Sequence, residues 1–166
     1  MNAPLHRLFA TLTHGVYVIG VAGAERRNAF TAAWVMQVSF DPPLLALSIN
    51  PQHLSYQLLR EDEGFTVNVL DKQHVNLARH FAQPSSVDKL ESITWHAAEG
   101  GAPILQDAMA WLECTQVSEC PAGDHVIVVG RVVDGEILNG DATPMNYRDT
   151  DGMDGSAELY PVEWRR

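Results

Sequence analysis

The chain has 166 residues, 46% of them hydrophobic, and its 21 acidic and 11 basic side chains give a formal net charge of −10 at pH 7. This length and composition predict one domain spanning 1–166 with a proper core and disfavour disorder. The charge disfavours nucleic acid and anionic membranes as partners, no apolar run suits a transmembrane helix, and the first residues lack the pattern of a signal peptide.

The elements predicted in chain order are mostly strands. Helices are expected over 4–12, 52–62 and 73–82, and strands over 15–21, 29–40, 44–49, 65–70, 92–96, 109–119 and 125–138. Asp41-Pro42-Pro43 ends the second strand, since proline cannot extend a ladder, and the residues 121–124 form a turn. Because strands dominate and do not alternate with helices, the pattern predicts an antiparallel barrel with helical insertions.

The two cysteines, Cys114 and Cys120, fall on one predicted strand. Their even spacing places both side chains on one face, roughly 20 Å apart, which is too far for a disulfide. We therefore expect two buried free thiols and a cytoplasmic location.

Common nucleotide, nucleophile and metal motifs are missing from the sequence. There is no G-x-G-x-x-G, no G-x-x-x-x-G-K-[ST] and no G-x-S-x-G, and none of the seven histidines lies in H-x-H or H-E-x-x-H. The sequence therefore predicts no metal site.

Three segments stand out. In 31–39, the small residues Ala32 and Ala33 leave the backbone bare beside Trp34, so main-chain polar groups can face the edge of a planar heterocycle. The segment 50–55 opens a helix whose free N–H groups suit a phosphate. The third, Gly123-Asp124-His125, turns into a long apolar strand.

Taken in order, these segments resemble the flavin reductase-like family, of the flavoredoxin and NAD(P)H:flavin oxidoreductase type. The resemblance covers roughly residues 5 to 148 and includes S-x-x-P-P, F-x-V-N-x-L, a helix ending in Phe-Ala, and G-D-H followed by I-x-x-G-x-V. It implies a mainly β, antiparallel split β-barrel of Greek-key type that binds FMN, with FAD as the alternative. It also implies NAD(P)H as substrate, a homodimer, and electron transfer to free flavin or to a partner such as a flavin-dependent monooxygenase.

The resemblance also assigns roles to residues. The catalytic position is His125, beside the flavin where reduced nicotinamide docks. The positions implied to bind the cofactor are Ala33, Trp34, Val35, Met36 and Gln37 for the ring and ribityl chain, Ser39 for ribityl or phosphate, Asn50, His53, Leu54 and Ser55 for the phosphate, and Phe81, Ala82 and Tyr147 near the ring.

Alternatives remain open at this point. Core packing explains Trp34, helix capping explains the 50–55 turn, and a local turn bond explains His125. No Lys or Arg follows the helix opening until Arg60, and the tail 149–166 caps the site, swaps onto a neighbour or hangs free. An enzyme, a non-enzymatic FMN electron carrier and a flavin-free homologue all fit the sequence.

Overall fold

A computed structural model describes residues 4–165 of the chain. The three α-helices in this range are α1 (Leu5–Phe9), α2 (Leu54–Asp62) and α3 (Val75–Phe81). The nine strands are β1 (Tyr17–Ala22), β2 (Arg27–Ala32), β3 (Val35–Ser39), β4 (Leu44–Ile49), β5 (Gly64–Val69), β6 (Trp95–Ala97), β7 (Pro103–Leu105), β8 (Ala110–Ala122) and β9 (His125–Ile137). Short 3₁₀ turns follow at Tyr147–Thr150, Ser156–Glu158 and Val162–Trp164.

Seven strands form one sheet in the order β2-β1-β5-β8-β9-β4-β3, and every neighbouring pair is antiparallel. The strands β2 and β3 are consecutive in sequence yet lie at opposite edges of this sheet. Three Cα steps separate Ala32 from Val35 and span at most about 11 Å. The sheet must therefore roll until its two edges are close, which is the geometry of a barrel split along one seam. The predicted mainly β, antiparallel fold is confirmed.

The predicted strand over 29–40 is wrong as a single element. Ala32 is the last residue that pairs with β1, opposite Tyr17, and Val35 is the first that pairs with β4, opposite Leu47. Residues 32–36 are all apolar and include no turn residue, so the sequence does not reveal that two edges share the segment. Ala33 and Trp34 cross the seam.

Smaller differences concern element ends. The helices are shorter than predicted. The strand β7 was not predicted, because its first residue, Pro103, disfavours a strand; the short two-stranded sheet of β6 and β7 tolerates this proline. The hairpin turn is reduced to Gly123 and Asp124, since Ala122 pairs with His125. Gly123 has φ 68°, whereas Asp124 does not have a positive φ. This combination is typical of a two-residue hairpin turn with glycine at its first central position.

The expectation that both cysteines share one buried face is wrong. The pairing of β8 with β9 shifts register between Gln116 and Ser118, and such a bulge reverses the side-chain alternation. Cys114 is consequently buried and Cys120 exposed, both as free thiols. Burial, and secondarily the charge of Glu113, raises the pKa of Cys114 to about 12.

The core has two parts separated by β1. Ile19 and Val21 face a cluster shared with α2, whereas Val16 and Val18 face a second cluster shared with α3. Burial of both faces explains why this strand is almost entirely apolar. A Cβ at Gly130 would lie 2.6 Å from the Phe65 ring, so the glycine of I-x-x-G-x-V serves close packing.

The C-terminal tail folds back onto the chain itself. Tyr160 stacks on Phe9 of α1 with ring centroids 6.0 Å apart, and Arg148 donates to the carbonyls of Ala10 and Thr11. These contacts hold the two chain ends together and place the tail beside α3. Within residues 4–165, no helix has the length and apolar character needed to cross a bilayer.

Candidate functional site

The seam between β2 and β3 contains a small cavity of about 60 Å³. Three predicted site residues from distant segments, Ala33, Ala82 and Tyr147, come together in its wall. Because the two ladders end at Ala32 and restart at Val35, the N–H and C=O of Ala33 have no ladder partner. The cavity therefore presents main-chain polar groups between small side chains.

The tail closes the other side of this cavity. Thr150, Met153 and Asp154 line it together with the seam residues. Tyr147 Oη donates to the Asp154 carboxylate at 2.8 Å and lies 2.8 Å from Ser156 Oγ. Burial raises the pKa of Tyr147, so its hydroxyl remains a neutral donor near neutral pH. The structure thus places the first part of the tail against the seam cavity.

The neighbouring residue, Trp34, points to a different place. Its ring lies 5.0 Å from that of His125 at an interplanar angle of 57°. His125 Nδ1 is 2.8 Å from Asp124 Oδ1, and this bond lowers the pKa of Asp124. Since a carboxylate only accepts, Nδ1 carries the hydrogen and Nε2 is left for another partner. We call Trp34, Asp124 and His125 the rim.

Two further basic residues lie near the rim. Desolvation lowers the pKa of His53, and the positive charges of His125 and Lys89 lower it further. Lys89 is buried, donates through Nζ to the carbonyls of Phe81 and Gln83, and burial lowers its pKa. The sequence showed no basic residue at the helix opening; Lys89, from the loop after α3, is the lysine whose charge acts on His53.

The opening of α2 leaves amides available. The first N–H groups of a helix have no intrahelical acceptor, and the N-cap residue His53 provides no side-chain cap. Asn50 Oδ1 accepts instead from the Gln52 amide. Ser55 is buried, and its Oγ accepts from Asn28 Nδ2 at 3.0 Å, so its own hydroxyl hydrogen remains to be donated.

The remaining predicted residues lie away from the cavity. Val35 and Leu54 pack against the core cluster of α2, and Phe81 is fully buried in the other cluster. Met36 is 63% exposed. Gln37 Nε2 donates to the Ser39 carbonyl along β3. The structure therefore gathers Ala33, Ala82 and Tyr147 at the cavity, and Trp34, His53 and His125 at the rim.

These residues converge on a small cavity at the seam of a rolled antiparallel sheet. The family model described as "Flavin reductase like domain" matches residues 9–155. The chain therefore belongs to the flavin reductase-like family, as its motifs predicted.

Curated relatives are longer than this chain. The high molecular weight rubredoxin of Moorella thermoacetica is 36% identical over 141 residues, which are 82% of this chain and 61% of that protein. The chain spans only about a quarter of several relatives named diflavin flavoproteins.

Solved structures share the fold. The NADH:FAD oxidoreductase of Streptomyces globisporus C-1027 has a TM-score of 0.80 and 31% identity, covering 88% of both chains, and a further structure holds NAD and FAD fragments. The FMN-binding protein of Thermus thermophilus has a TM-score of 0.75 and 27% identity, covering 84% of this chain and 79% of that one.

Proposed function

We propose that this chain is an NAD(P)H-dependent flavin reductase that binds FMN across the seam and passes electrons to free flavin or to a partner protein. The observation that carries the proposal is the placement of Ala33 and Trp34, consecutive residues that face the cavity and the rim. Family membership and the NADH:FAD oxidoreductase among its structural neighbours support the same activity. FAD is the alternative flavin.

The seam residues fit a planar heterocycle. Ala33 offers an unpaired N–H and C=O to the polar edge of a ring, and the small side chain of Ala82 leaves room beside it. Tyr147 adds an aromatic wall. When bound, the flavin supplies the capacity to accept a hydride from reduced nicotinamide; the protein contributes binding and orientation.

The opening of α2 fits the flavin phosphate. Unpaired helix amides and the helix dipole attract an anion. Lys89, whose charge acts on His53, is a cation in a chain whose net charge is −10, and the Ser55 hydroxyl can donate. On this arrangement, the ribityl chain follows β3 past Gln37 and Ser39.

The rim fits the nicotinamide. Asp124 holds His125 by its Nδ1–H, which fixes the direction of Nε2 as a hydrogen-bonding partner for the nicotinamide carboxamide. Trp34 packs against the other side of the same imidazole. Hydride transfer depends strongly on alignment, so His125 acts by positioning the donor and the Asp124 carboxylate fixes its tautomer.

A homodimer completes the proposal. Trp34, Met36 and Phe40 are 51%, 63% and 89% exposed on or beside the edge strand β3, an apolar row that a second copy would cover. A flavin-dependent monooxygenase as electron acceptor and a cytoplasmic location also remain proposals.

The deciding assay is NADH and NADPH oxidation with and without added FMN. A flavin reductase consumes reduced nicotinamide continuously when FMN is in excess. An electron carrier binds FMN but turns over slowly, and a flavin-free homologue leaves both FMN fluorescence and its own melting temperature unchanged. Either of the last two results contradicts the proposal.

A further inference from the structure

A second, larger opening adjoins the seam cavity. It has a volume of about 420 Å³, within the range of small-ligand pockets, and lies between α3 and the turn that follows Tyr147. Its lining residues are Arg79, Ala82, Gln83, Thr150, Asp151 and Met153. Ala82, Thr150 and Met153 also line the seam cavity, so the two openings are neighbours that share one wall. We call the larger one the tail cleft.

Arg79 is the main chemical feature of the tail cleft. It is exposed on α3, and within residues 4–165 its guanidinium takes part in neither a salt bridge nor a side-chain hydrogen bond. A guanidinium presents several donors that match phosphate oxygens in pairs. In a chain of net charge −10, an uncommitted arginine facing a cleft is a local site for an anion.

Asp151 lies on the opposite side of the tail cleft, in a left-handed conformation with φ 52°. No salt bridge joins it to Arg79 in the described part of the chain. A carboxylate close to a nucleotide accepts from ribose hydroxyls and repels a phosphate at the 2′ position. The cleft thus offers one group for a pyrophosphate and another for an unsubstituted ribose.

We infer that the tail cleft binds the adenosine diphosphate portion of a dinucleotide, with Arg79 on the pyrophosphate and Asp151 on the adenosine ribose. The inference rests on the proposed function, since the position of the cleft beside the seam matters only if a flavin lies there. NADH and FAD both carry this portion, whereas FMN lacks it. Asp151 makes NADH a better ligand than NADPH.

The test compares Arg79→Gln with Arg26→Gln, which removes the same charge from the exposed turn between β1 and β2. The probe is ADP-ribose, titrated against NADH-driven bleaching of the FMN-loaded protein, alongside separate FAD and FMN titrations. Loss of a charge-assisted bond should weaken the dinucleotide interaction about ten- to a hundredfold. Arg26→Gln should match the wild type.

These titrations distinguish whether the adenosine diphosphate portion in the tail cleft belongs to NADH or to FAD. If the cleft serves NADH, Arg79→Gln raises the KM for NADH and the inhibition constant of ADP-ribose. If it serves FAD, Arg79→Gln weakens FAD and leaves FMN unchanged. Equal behaviour of the two arginine variants in every titration overturns the inference while leaving the proposed function intact. Failure of the wild type to bind FMN or to be reduced by NADH instead contradicts the proposed function, and this inference with it.

A second measurement tests Asp151. The wild type should bind ADP-ribose more tightly than its 2′-phosphate derivative, and Asp151→Asn should narrow that difference. Tighter binding of the 2′-phosphate derivative by the wild type overturns the assignment of Asp151 to the ribose.

Discussion

Ala33 and Trp34 are adjacent in sequence but belong to two different environments. Ala33 lines a small cavity closed by Ala82, Tyr147 and the C-terminal tail, whereas Trp34 is half-exposed against His125. The cavity combines three alanines and unpaired backbone with Tyr147 and the tail; the rim consists of an indole, an imidazole and a carboxylate. The comparison indicates a division of labour in which the cavity determines whether a flavin binds and the rim determines how fast it is reduced.

The largest expected effect comes from filling the cavity. Ala33→Phe places a phenyl ring in a space of about 60 Å³ and should lower flavin affinity by up to about a hundredfold, because overpacking costs roughly 1–3 kcal/mol. Flavin fluorescence quenching measures the affinity. Ala24→Phe, in the exposed β1–β2 turn, is the control, and unchanged affinity in Ala33→Phe would remove the seam from the site.

The next effect comes from the rim. His125→Ala should keep FMN affinity but slow flavin reduction about ten- to a hundredfold, the loss expected for one orienting hydrogen bond of about 1–3 kcal/mol. Asp124→Asn should slow it less, since it disturbs the tautomer of His125 and keeps the ring. Stopped-flow bleaching at saturating nicotinamide, with a melting curve, reports both. A His125 variant that melts earlier but bleaches normally would mean that the histidine only supports the turn.

The opening of α2 gives a smaller effect. Ser55→Ala should weaken FMN about tenfold or more relative to riboflavin, because a charge-assisted bond to the phosphate contributes about 1.5–3 kcal/mol. The buried Asn28–Ser55 bond complicates this variant. Asn28→Ala breaks the same bond but leaves the hydroxyl, so calorimetric titration should show no FMN-specific loss for it. Equal losses for FMN and riboflavin in Ser55→Ala would mean that the serine is purely structural.

The smallest effect on flavin is expected from the outer surface of β3. Met36→Glu should shift the chain from dimer to monomer in sedimentation experiments, because a charge placed in an apolar interface has no partner. Leu159→Glu, on the exposed tail, should leave the assembly unchanged. A wild type that sediments as a monomer at micromolar concentration with FMN bound would show that the rim is complete in one chain.

The sequence predicted the fold class and the family because both depend on patterns along the chain. Segments rich in β-branched apolar residues mark β1, β5 and β9, and Gly123 accommodates the left-handed conformation of the turn before His125. The seam was not predictable, since Ala33 and Trp34 lie inside an uninterrupted apolar segment. Whether a strand continues or changes edge is decided by long-range pairing with Tyr17 and Leu47.

The site was predictable only in part. Ala33, Ala82 and Tyr147 do meet, but their meeting depends on the rolled sheet. Lys89 carried no signal, because a lysine in a polar loop resembles any solvated charge until the fold buries it near His53. The same holds for Thr150 and Met153, which line the cavity, because the sequence left three alternatives open for their tail segment. The roles assigned to these residues stay predictions.

The most direct test of the division of labour is an FMN titration of the wild type and the Ala33→Phe and His125→Ala variants, followed by melting curves and anaerobic addition of NADH. FMN should stabilise the wild type and the His125 variant by about 2.7 kcal/mol at a hundredfold excess over Kd, and only the wild type should bleach rapidly. The Ala33 variant should show no flavin-dependent shift. Flavin-independent melting of the wild type, or rapid bleaching of the His125 variant, would contradict the account.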